Sequence, residues 1–401
     1  MNPVLIDINW KKLLPLSFAR PLSHLLIGID TIVQKWERHL NMAPGVLPPK
    51  YLREAFPLSK TTELILINSA VLPTPPLAEA VTKLKTGQVL TYRGNFIAAL
   101  SANKNLDDLA VRIEKGEIIP FSEFGQDEVF FNEPIVILES PADIFAQNDA
   151  ILRQDFDEIT KKFKTTDFPK HVIATGHDIF IHPEAEVRHC VLNATTGPIY
   201  IGKGAEIMEG SLVRGPFSIG EGSTLKMGAK VYGATSIGRH CKVGGEVNNA
   251  VINDYSNKGH DGFLGNSVIG SWCNLGADTN TSNLKNNYSD IKVWNYTTET
   301  LENTGLQFQG LIMGDHSKAG INTMFNTGSV VGMCSNIFDG GFPPKFIPSF
   351  SWGGVQSLET FKLEKAFEAS KAMMNRRNVD FGKPEADIFR FVSDYDSKFR
   401  S

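Results

Sequence analysis

The sequence predicts an α/β domain, then a parallel β-helix, then a short helical tail. The β-helix is predicted by a rhythm: Ile201, Ile207, Val213, Ile219, Leu225, Val231, Ile237 and Val243 put an aliphatic side chain at every sixth position. Glycine follows at Gly202, Gly220, Gly238 and Gly244, where a chain turning a corner uses a residue without a Cβ. A six-residue period fits neither an amphipathic helix nor an alternating strand, and it is the signature of stacked hexapeptide coils. Ahead of the rhythm, strand-like and helix-like stretches interleave, which argues for an α/β domain.

The whole chain bounds the reading. Its 401 residues suggest two or three domains, and 42% hydrophobic with 21% charged residues is ordinary globular composition. A formal charge of -4 gives no electrostatic reason to expect nucleic acid or an acidic membrane surface as partner. Cys190, Cys241, Cys273 and Cys334 are scattered without metal-ligand spacing, as expected for reduced thiols. No charged leader precedes an apolar block, and no run approaches the ~18 apolar residues of a membrane span. The expected location is the cytoplasm.

In chain order, Val4–Ile8 reads as a buried strand. Ile29, Ile32, Val33 and Trp36 have helical spacing. A strand is expected at Leu64–Asn68, and the Pro73-Thr74-Pro75-Pro76 cluster breaks the chain before a helix near Leu77–Lys85. Gln88–Leu100 alternates as a strand or hairpin, and Pro134–Glu139 reads as a further apolar strand. Ile151–Phe163 is expected to be a charged helix leading out of the domain.

From about His171 glycine and asparagine become frequent. Ile181 and Val187 begin the coils, and Ala194–Pro198 is a small insertion. Beyond Val243 the phase slips by two, giving Val251 and then Phe263, Ile269 and Leu275. Residues 282–308 break the rhythm and are too long for a corner, so an arm is expected there. The count resumes at Met313, Ala319, Phe325, Val331 and Ile337. Gly340–Gly354 closes the helix, and Leu358, Phe361, Leu363 and Phe367 favour a helix that folds back as a cap. The expected domains are 1–165, 170–345 with its arm, and 346–401.

Leu13-x-Pro15-Leu16, Arg20-Pro21, Gly28-Ile29, Thr31-Ile32-x-x-Lys35-Trp36-Glu37 and Pro141-x-Asp143-Ile144-Phe145 resemble the sugar-nucleotidyltransferase-like domain that precedes a hexapeptide helix in bacterial GlmU-family proteins. Active members carry a Gly-rich loop and an arginine after the first strand, whose N–H groups hold nucleotide phosphates. They also carry a following lysine and a metal-binding aspartate. This chain offers Asn9-Trp10-Lys11-Lys12 for the loop, Ser23 or His24 for the lysine and Ser69 for the aspartate. The expectation is a degenerate domain that binds a sugar nucleotide without turning it over. Arg20 is its candidate phosphate ligand, because a guanidinium holds two oxygens at once; Mg²⁺ is implied only if nucleotidyl transfer is retained.

Lys258-Gly259-His260-Asp261-Gly262-Phe263-Leu264-Gly265, then Val268-Ile269-Gly270, then Cys273-Asn274-Leu275-Gly276-Ala277-x-Thr279 and Asn283 resemble the acetyltransferase half of the same family. The resemblance implies a left-handed β-helix, a homotrimer and acetyl-CoA between prisms. It places His260 on the general base, Asn274 and Asn283 on the sugar site, and Gly276, Ala277 and Asn322 near the cofactor. The chemistry needs these types on its own account. An amine attacks a thioester after losing a proton, imidazole accepts one near neutrality, the oxyanion needs fixed donors, and asparagine amides hold hydroxyls. By default a turn histidine is a solvated surface residue and a corner asparagine a backbone device.

At the family's arginine, lysine and tyrosine around the sugar phosphate the chain has Tyr232, Asn248 and Phe263. A sugar nucleotide, or an amino sugar with its phosphate held elsewhere, therefore fits better than glucosamine 1-phosphate, and Arg214 or Lys226 is a substitute source of charge. His316 lies on a later coil. His171, His177, His182 and His189 cluster without a matching set later, and no metal is expected. The favoured function is CoA-dependent N-acyl transfer to an amino-sugar phosphate or nucleotide sugar. The alternatives are a non-catalytic trimeric scaffold that binds sugar nucleotides, and a bifunctional enzyme that also transfers nucleotidyl groups.

Overall fold

The apolar run that opens the chain becomes the second strand of a six-stranded mixed sheet. Its spatial order is Gly45–Leu47, Asn2–Ile6, Glu63–Asn68, Asn95–Ala102, Gln88–Tyr92 and Asp127–Phe130. The first three run parallel, and Gln88–Tyr92 with Asn95–Ala102 is the expected hairpin. The computed structural model describes residues 2–58, 63–102, 105–161 and 168–400. This sheet belongs to a unit made of residues 1–25, 30–140 and 383–388.

Local signals set its helices. Ile32–Leu40 begins at a capping box in which Thr31 and Gln34 satisfy each other's backbone donors. The Thr74 hydroxyl accepts from Leu77 N ahead of Pro75–Thr82. Leu106–Lys115 is a helix the sequence reading left out, capped by Asn105 and buried through Leu109, Ala110 and Ile113. One expectation fails here: Pro134–Glu139 forms no strand, only a single antiparallel bridge between Val71 and Ile137. Its backbone pairs with the turn segment at 70–72, through Leu72 N on Val136 O and Leu138 N on Ala70 O, and that segment offers no longer ladder.

The second unit, residues 26–29, 141–382 and 389–401, is the β-helix. Three ladders of short parallel strands form its faces. The first runs from Ile179–Ile181 to Phe346–Ile347, the second from Glu186–Val187 to Ser351–Gly353, and the third from Ile173–Thr175 to Phe263–Gly265, followed by the Asn280–Thr281 and Met324–Phe325 pair. The eight residues of the rhythm all point inward and are buried, each stabilising by about 1.5–3 kcal/mol. Strand pairing carries the coils to Gly353, beyond the boundary expected at 345.

Where the phase slips, the inward residues are Val247, Ile252, Leu264, Ile269 and Leu275. Val251 and Phe263 are therefore one position out: Val251 is buried on the outer side of the first face, and Phe263 is half-buried on the third. The slip has three separate causes. The corner from second to third face shrinks to Gly244-Gly245, between Val243 and Glu246, and the corner from third to first face loses one residue at Asn249-Ala250 and again, one coil later, at Asn266-Ser267.

A single helix, Pro141–Thr160, covers the first face. Its Asn148 Oδ1 accepts from Gly28 N at 2.7 Å and from Ser236 Oγ at 3.1 Å, while Nδ2 donates to Ala234 O at 2.9 Å. Asp155 Oδ2 accepts from Ile29 N at 2.8 Å. The helix thus starts ahead of the expected Ile151 and packs on the prism, so the compact units part at Ser140 rather than 165; Lys162 and Phe163 of the expected helix lie outside the described residues.

The arm is a hairpin, Lys292–Asn295 with Thr300–Asn303, whose neck is closed by Gln309 N donating to Asn283 O at 2.9 Å. It folds onto the last coils and the tail: Trp294 stacks on Phe346 with centroids 4.2 Å apart, and Tyr296 OH donates to Asp396. The cap consists of Leu363–Asn375 and Lys383–Tyr395, with Phe389 against the rings of His316 and Phe350.

Candidate functional site

Along the edge between second and third faces, most corners have four residues: Met208 to Ser211, Lys226 to Ala229, Gly259 to Gly262 and Gly276 to Thr279. The corner of Gly244-Gly245 has two. Removing two residues from one layer of a stacked edge leaves a notch, and a cavity of about 440 Å³ opens there, lined by Lys226, Met227, Gly244, Gly245, His260 and Ala277 among others. The irregularity in the rhythm and the hollow are one feature.

His260 stands exposed on the rim, and its imidazole makes no hydrogen bond among the described residues. Its backbone is held more firmly than its ring. Lys258, at the inward position that pairs with Val243, is 2% exposed. Its Nζ donates to Gly244 O at 3.1 Å, His260 O at 2.5 Å and Asp261 O at 3.1 Å. Burial pushes the Lys258 ammonium down to about 8, with Asp261 and Asp278 opposing.

The same edge has a break in its hydrogen-bond ladder. Met208 N donates to Leu225 O, Lys226 N to Val243 O, Gly244 N to Lys258 O and Gly276 N to Ala319 O, at 3.0, 2.7, 2.8 and 2.9 Å. The corresponding rung from Gly259 is missing, and its N–H has no acceptor among the described residues. Gly245 has φ +73, and a Cβ there would lie 2.8 Å from the carbonyl oxygens of both His260 and Gly262.

Of the residues singled out from sequence, His260 and Ala277 meet in the notch, and Lys226 joins them. Gly276 closes the coil beside it, with Gly320 so near that a Cβ would lie 2.7 Å from its carbonyl carbon. Asn322 lies one coil further on, with φ +60, its N–H on Ala277 O at 2.8 Å. Asn274 is exposed on the second face in register with Asn257 and Lys318.

Tyr232, Asn248 and Phe263 lie on the third face. Tyr232 OH donates to Glu246 Oε1 at 2.6 Å, which raises the phenol's pKa, and Asn248 is in register with it. Phe263 N donates to Asn280 Oδ1 at 2.8 Å. Asn283 Nδ2 donates to Asn266 Oδ1 at 2.7 Å, so this asparagine builds the arm's neck. Arg214 is exposed, in register with Asn193. His316 belongs to the other edge, between first and second faces, where His240, Tyr255, Trp272 and His316 stack in sequence. No group of three or more His, Cys, Asp or Glu side chains arranged for a metal is present among the described residues, and no described helix is long and apolar enough to cross a membrane.

In the first unit the strand ends meet a filled site. Trp10 is buried with Nε1 donating to Ile113 O at 2.8 Å, Lys11 Nζ donates to Lys115 O at 2.6 Å, and Lys12 pairs with Glu139. Arg20 is half-buried. Sequence reading passed over Asp7, which follows the first strand and accepts from Leu22 N at 2.9 Å. Burial pushes its carboxyl up to about 7 against the hydrogen bonds of Ser69 and Leu22.

Three comparisons bear on this arrangement. Residues 5–164 match the family described as sugar nucleotidyl transferase. The chain is 36% identical over 87 residues to the bifunctional protein GlmU of Methanocaldococcus jannaschii, a match over 22% of this chain and 21% of that relative's length. Among solved structures, Francisella novicida UDP-N-acetylglucosamine acyltransferase aligns with TM-score 0.31 and 12% identity over 55% of this chain and 90% of its own. AntD, an N-acyltransferase from Bacillus cereus in complex with dTDP and 3-hydroxybutyryl-CoA, aligns with TM-score 0.21 and 12% identity over 51% and 91%.

Two substitutions probe these environments. Gly245→Ala forces a Cβ onto two carbonyls at positive φ, and is expected to cost more than about 1 kcal/mol and to shift backbone amide resonances of 259–262 in NMR spectra; unchanged resonances would contradict the packing described. A carboxyl whose pKa is raised on folding destabilises the fold once pH exceeds the unfolded value, and fully above the folded one. Asp7→Asn is thus expected to gain stability over the parent as pH rises from about 4 to 7, by up to roughly 4 kcal/mol, measured by urea unfolding at pH 5 and pH 8. An equal effect at both pH values would remove the buried carboxyl from the account.

Proposed function

We propose that the protein transfers an acyl group, acetyl in the simplest case, from acyl-CoA to the amine of an amino-sugar phosphate or nucleotide sugar, with His260 as general base. The observation that carries this reading is the notch itself. It joins an exposed imidazole without a protein partner among the described residues to a nearby unpaired backbone N–H at the corner that loses two residues. The His260 ring takes the proton from the amine as the nitrogen attacks the thioester carbonyl. The oxygen that becomes anionic is met by N–H groups of the notch, with Gly259 and Ala277 the candidates. The carbon–sulfur bond then breaks, and the thiolate leaves with the proton returned by the imidazolium.

Binding groups are distributed around that centre. Gly276, Ala277 and Asn322 form the stretch of edge assigned to CoA, and Lys226 supplies a positive charge for phosphate. Asn274, Asn283, Tyr232, Asn248 and Phe263 remain candidates for the acceptor; those on the third face require the acceptor to reach round the edge. Met227 lines the notch with 68% of its surface exposed, which favours a homotrimer with a second prism covering it. A nucleotide-sugar acceptor agrees with AntD, which was solved with dTDP and 3-hydroxybutyryl-CoA, and the proposed location is the cytoplasm.

For the first unit, the family match favours binding of a sugar nucleotide, with Arg20 toward phosphate. The filled strand ends argue against transfer, and so against a requirement for Mg²⁺. Purified protein is expected to release free CoA thiol from acetyl-CoA with at least one amino sugar or amino-sugar nucleotide in a panel, and His260→Ala to lower kcat at least about 100-fold. It is also expected to release no pyrophosphate from UTP, Mg²⁺ and sugar 1-phosphates. Absence of thiol release with every acceptor would leave a non-catalytic scaffold, and pyrophosphate release would restore a bifunctional enzyme.

A further inference from the structure

The inward file on the second face reads Ile207, Leu225, Val243, Lys258, with Leu275, Ala319 and Ile337 in the coils beyond. One member is a lysine, placed where every neighbour is aliphatic. An ammonium drawn into an apolar prism loses hydration, a cost that an aliphatic residue in the same file would not carry. Core packing therefore gives no reason for it. What the lysine does instead is local. The side chain leaves the file toward the shortened corner, and its three N–H bonds go to the carbonyls of Gly244, His260 and Asp261. Those carbonyls belong to the two-residue corner that makes the notch and to the turn that carries His260. The missing ladder rung lies at the next residue, Gly259.

We propose that Lys258 is a positioning residue, which ties the His260 turn to the Gly244-Gly245 corner so that the imidazole and the free Gly259 N–H keep a fixed separation across the notch. The assignment rests on the reading of His260 as general base. It does not make Lys258 touch substrate, since its ammonium is buried and fully engaged. Four-residue corners elsewhere on the edge gain a rung from the strand that follows; the His260 corner lacks that rung at Gly259, and the lysine supplies a tether in its place. An aliphatic residue would fill the file and leave the three carbonyls without this donor.

The test uses Lys258→Met and Lys258→Leu, the second being the residue type of Leu225 and Leu275 on the same file. Both are expected to fold with a modestly lowered unfolding midpoint, since the relieved ammonium only partly offsets the carbonyls left without a donor, to lower kcat at least tenfold with KM for acyl-CoA changed less than threefold, and to speed amide hydrogen exchange in 259–262 while exchange in 201–243 stays as in the parent. Parent-like exchange in 259–262, or kcat within threefold, overturns the assignment. Loss of folding in both variants makes Lys258 a stability residue and overturns it as well. Should the parent turn over no acyl-CoA, the proposed function fails separately, and hydrogen exchange alone then decides whether Lys258 holds the turn.

Discussion

A three-sided coil admits one inward side chain per face per turn, and the architecture of the larger unit depends on keeping that file continuous. Each short strand has two or three residues, too few to be stable alone. It persists because the coils before and after bury the same aliphatic stripe and complete its backbone hydrogen bonds. Sheet and core are thus built by the same repetition. A change in residue number at a corner leaves the files intact so long as the inward residues stay stacked, and the surplus or deficit appears on the surface. At Gly244-Gly245 a deficit appears as a hollow, at 282–308 a surplus appears as an arm. The scaffold in this way converts insertions and deletions into surface relief.

That logic explains what was legible in the sequence. From Ile201 to Val243 each corner has regular length, so counting alone finds every inward residue. Past Val243 counting still detects a shift but not its location, because three corners shorten separately. A one-residue error then moves a side chain to the opposite side of the strand, which is how Phe263 was taken for Leu264. Lys258 was beyond such reading altogether: a charged residue between Asn257 and Gly259 reads as solvent-facing, and only the register with Val243 puts it inside. The apolar run at 134–139 resembles a strand in composition but pairs only with the turn segment at 70–72. The start of the helix at Pro141 was missed because the polar Asn148 and Asp155 interrupt the apolar stripe that Ile144, Phe145, Ile151, Leu152 and Phe156 make on its buried face.

The two units treat the same ingredients in opposite ways. In the first, the strand end that the family resemblance marks for phosphate is occupied by a buried indole and by lysines already paired with the protein, and the buried Asp7 carboxyl that follows the strand is raised to about 7 by desolvation. In the second, the Gly259 N–H lies without an acceptor among the described residues beside an imidazole that solvent reaches, so both groups face the notch uncommitted, as the satisfied residues of the first unit do not.

Among the candidate acceptor ligands the structure also ranks what sequence could not. Asn283 was placed at the sugar site by the family resemblance, yet its amide and carbonyl are both used in closing the arm, on Asn266 and Gln309. Asn274 keeps its amide free among the described residues but faces outward on a different side of the prism from Tyr232 and Phe263. A single small sugar does not span two faces and the edge between them. Under the proposed function, candidates dispersed over two faces would all serve only an extended acceptor, such as one with a nucleotide attached and its amine in the notch.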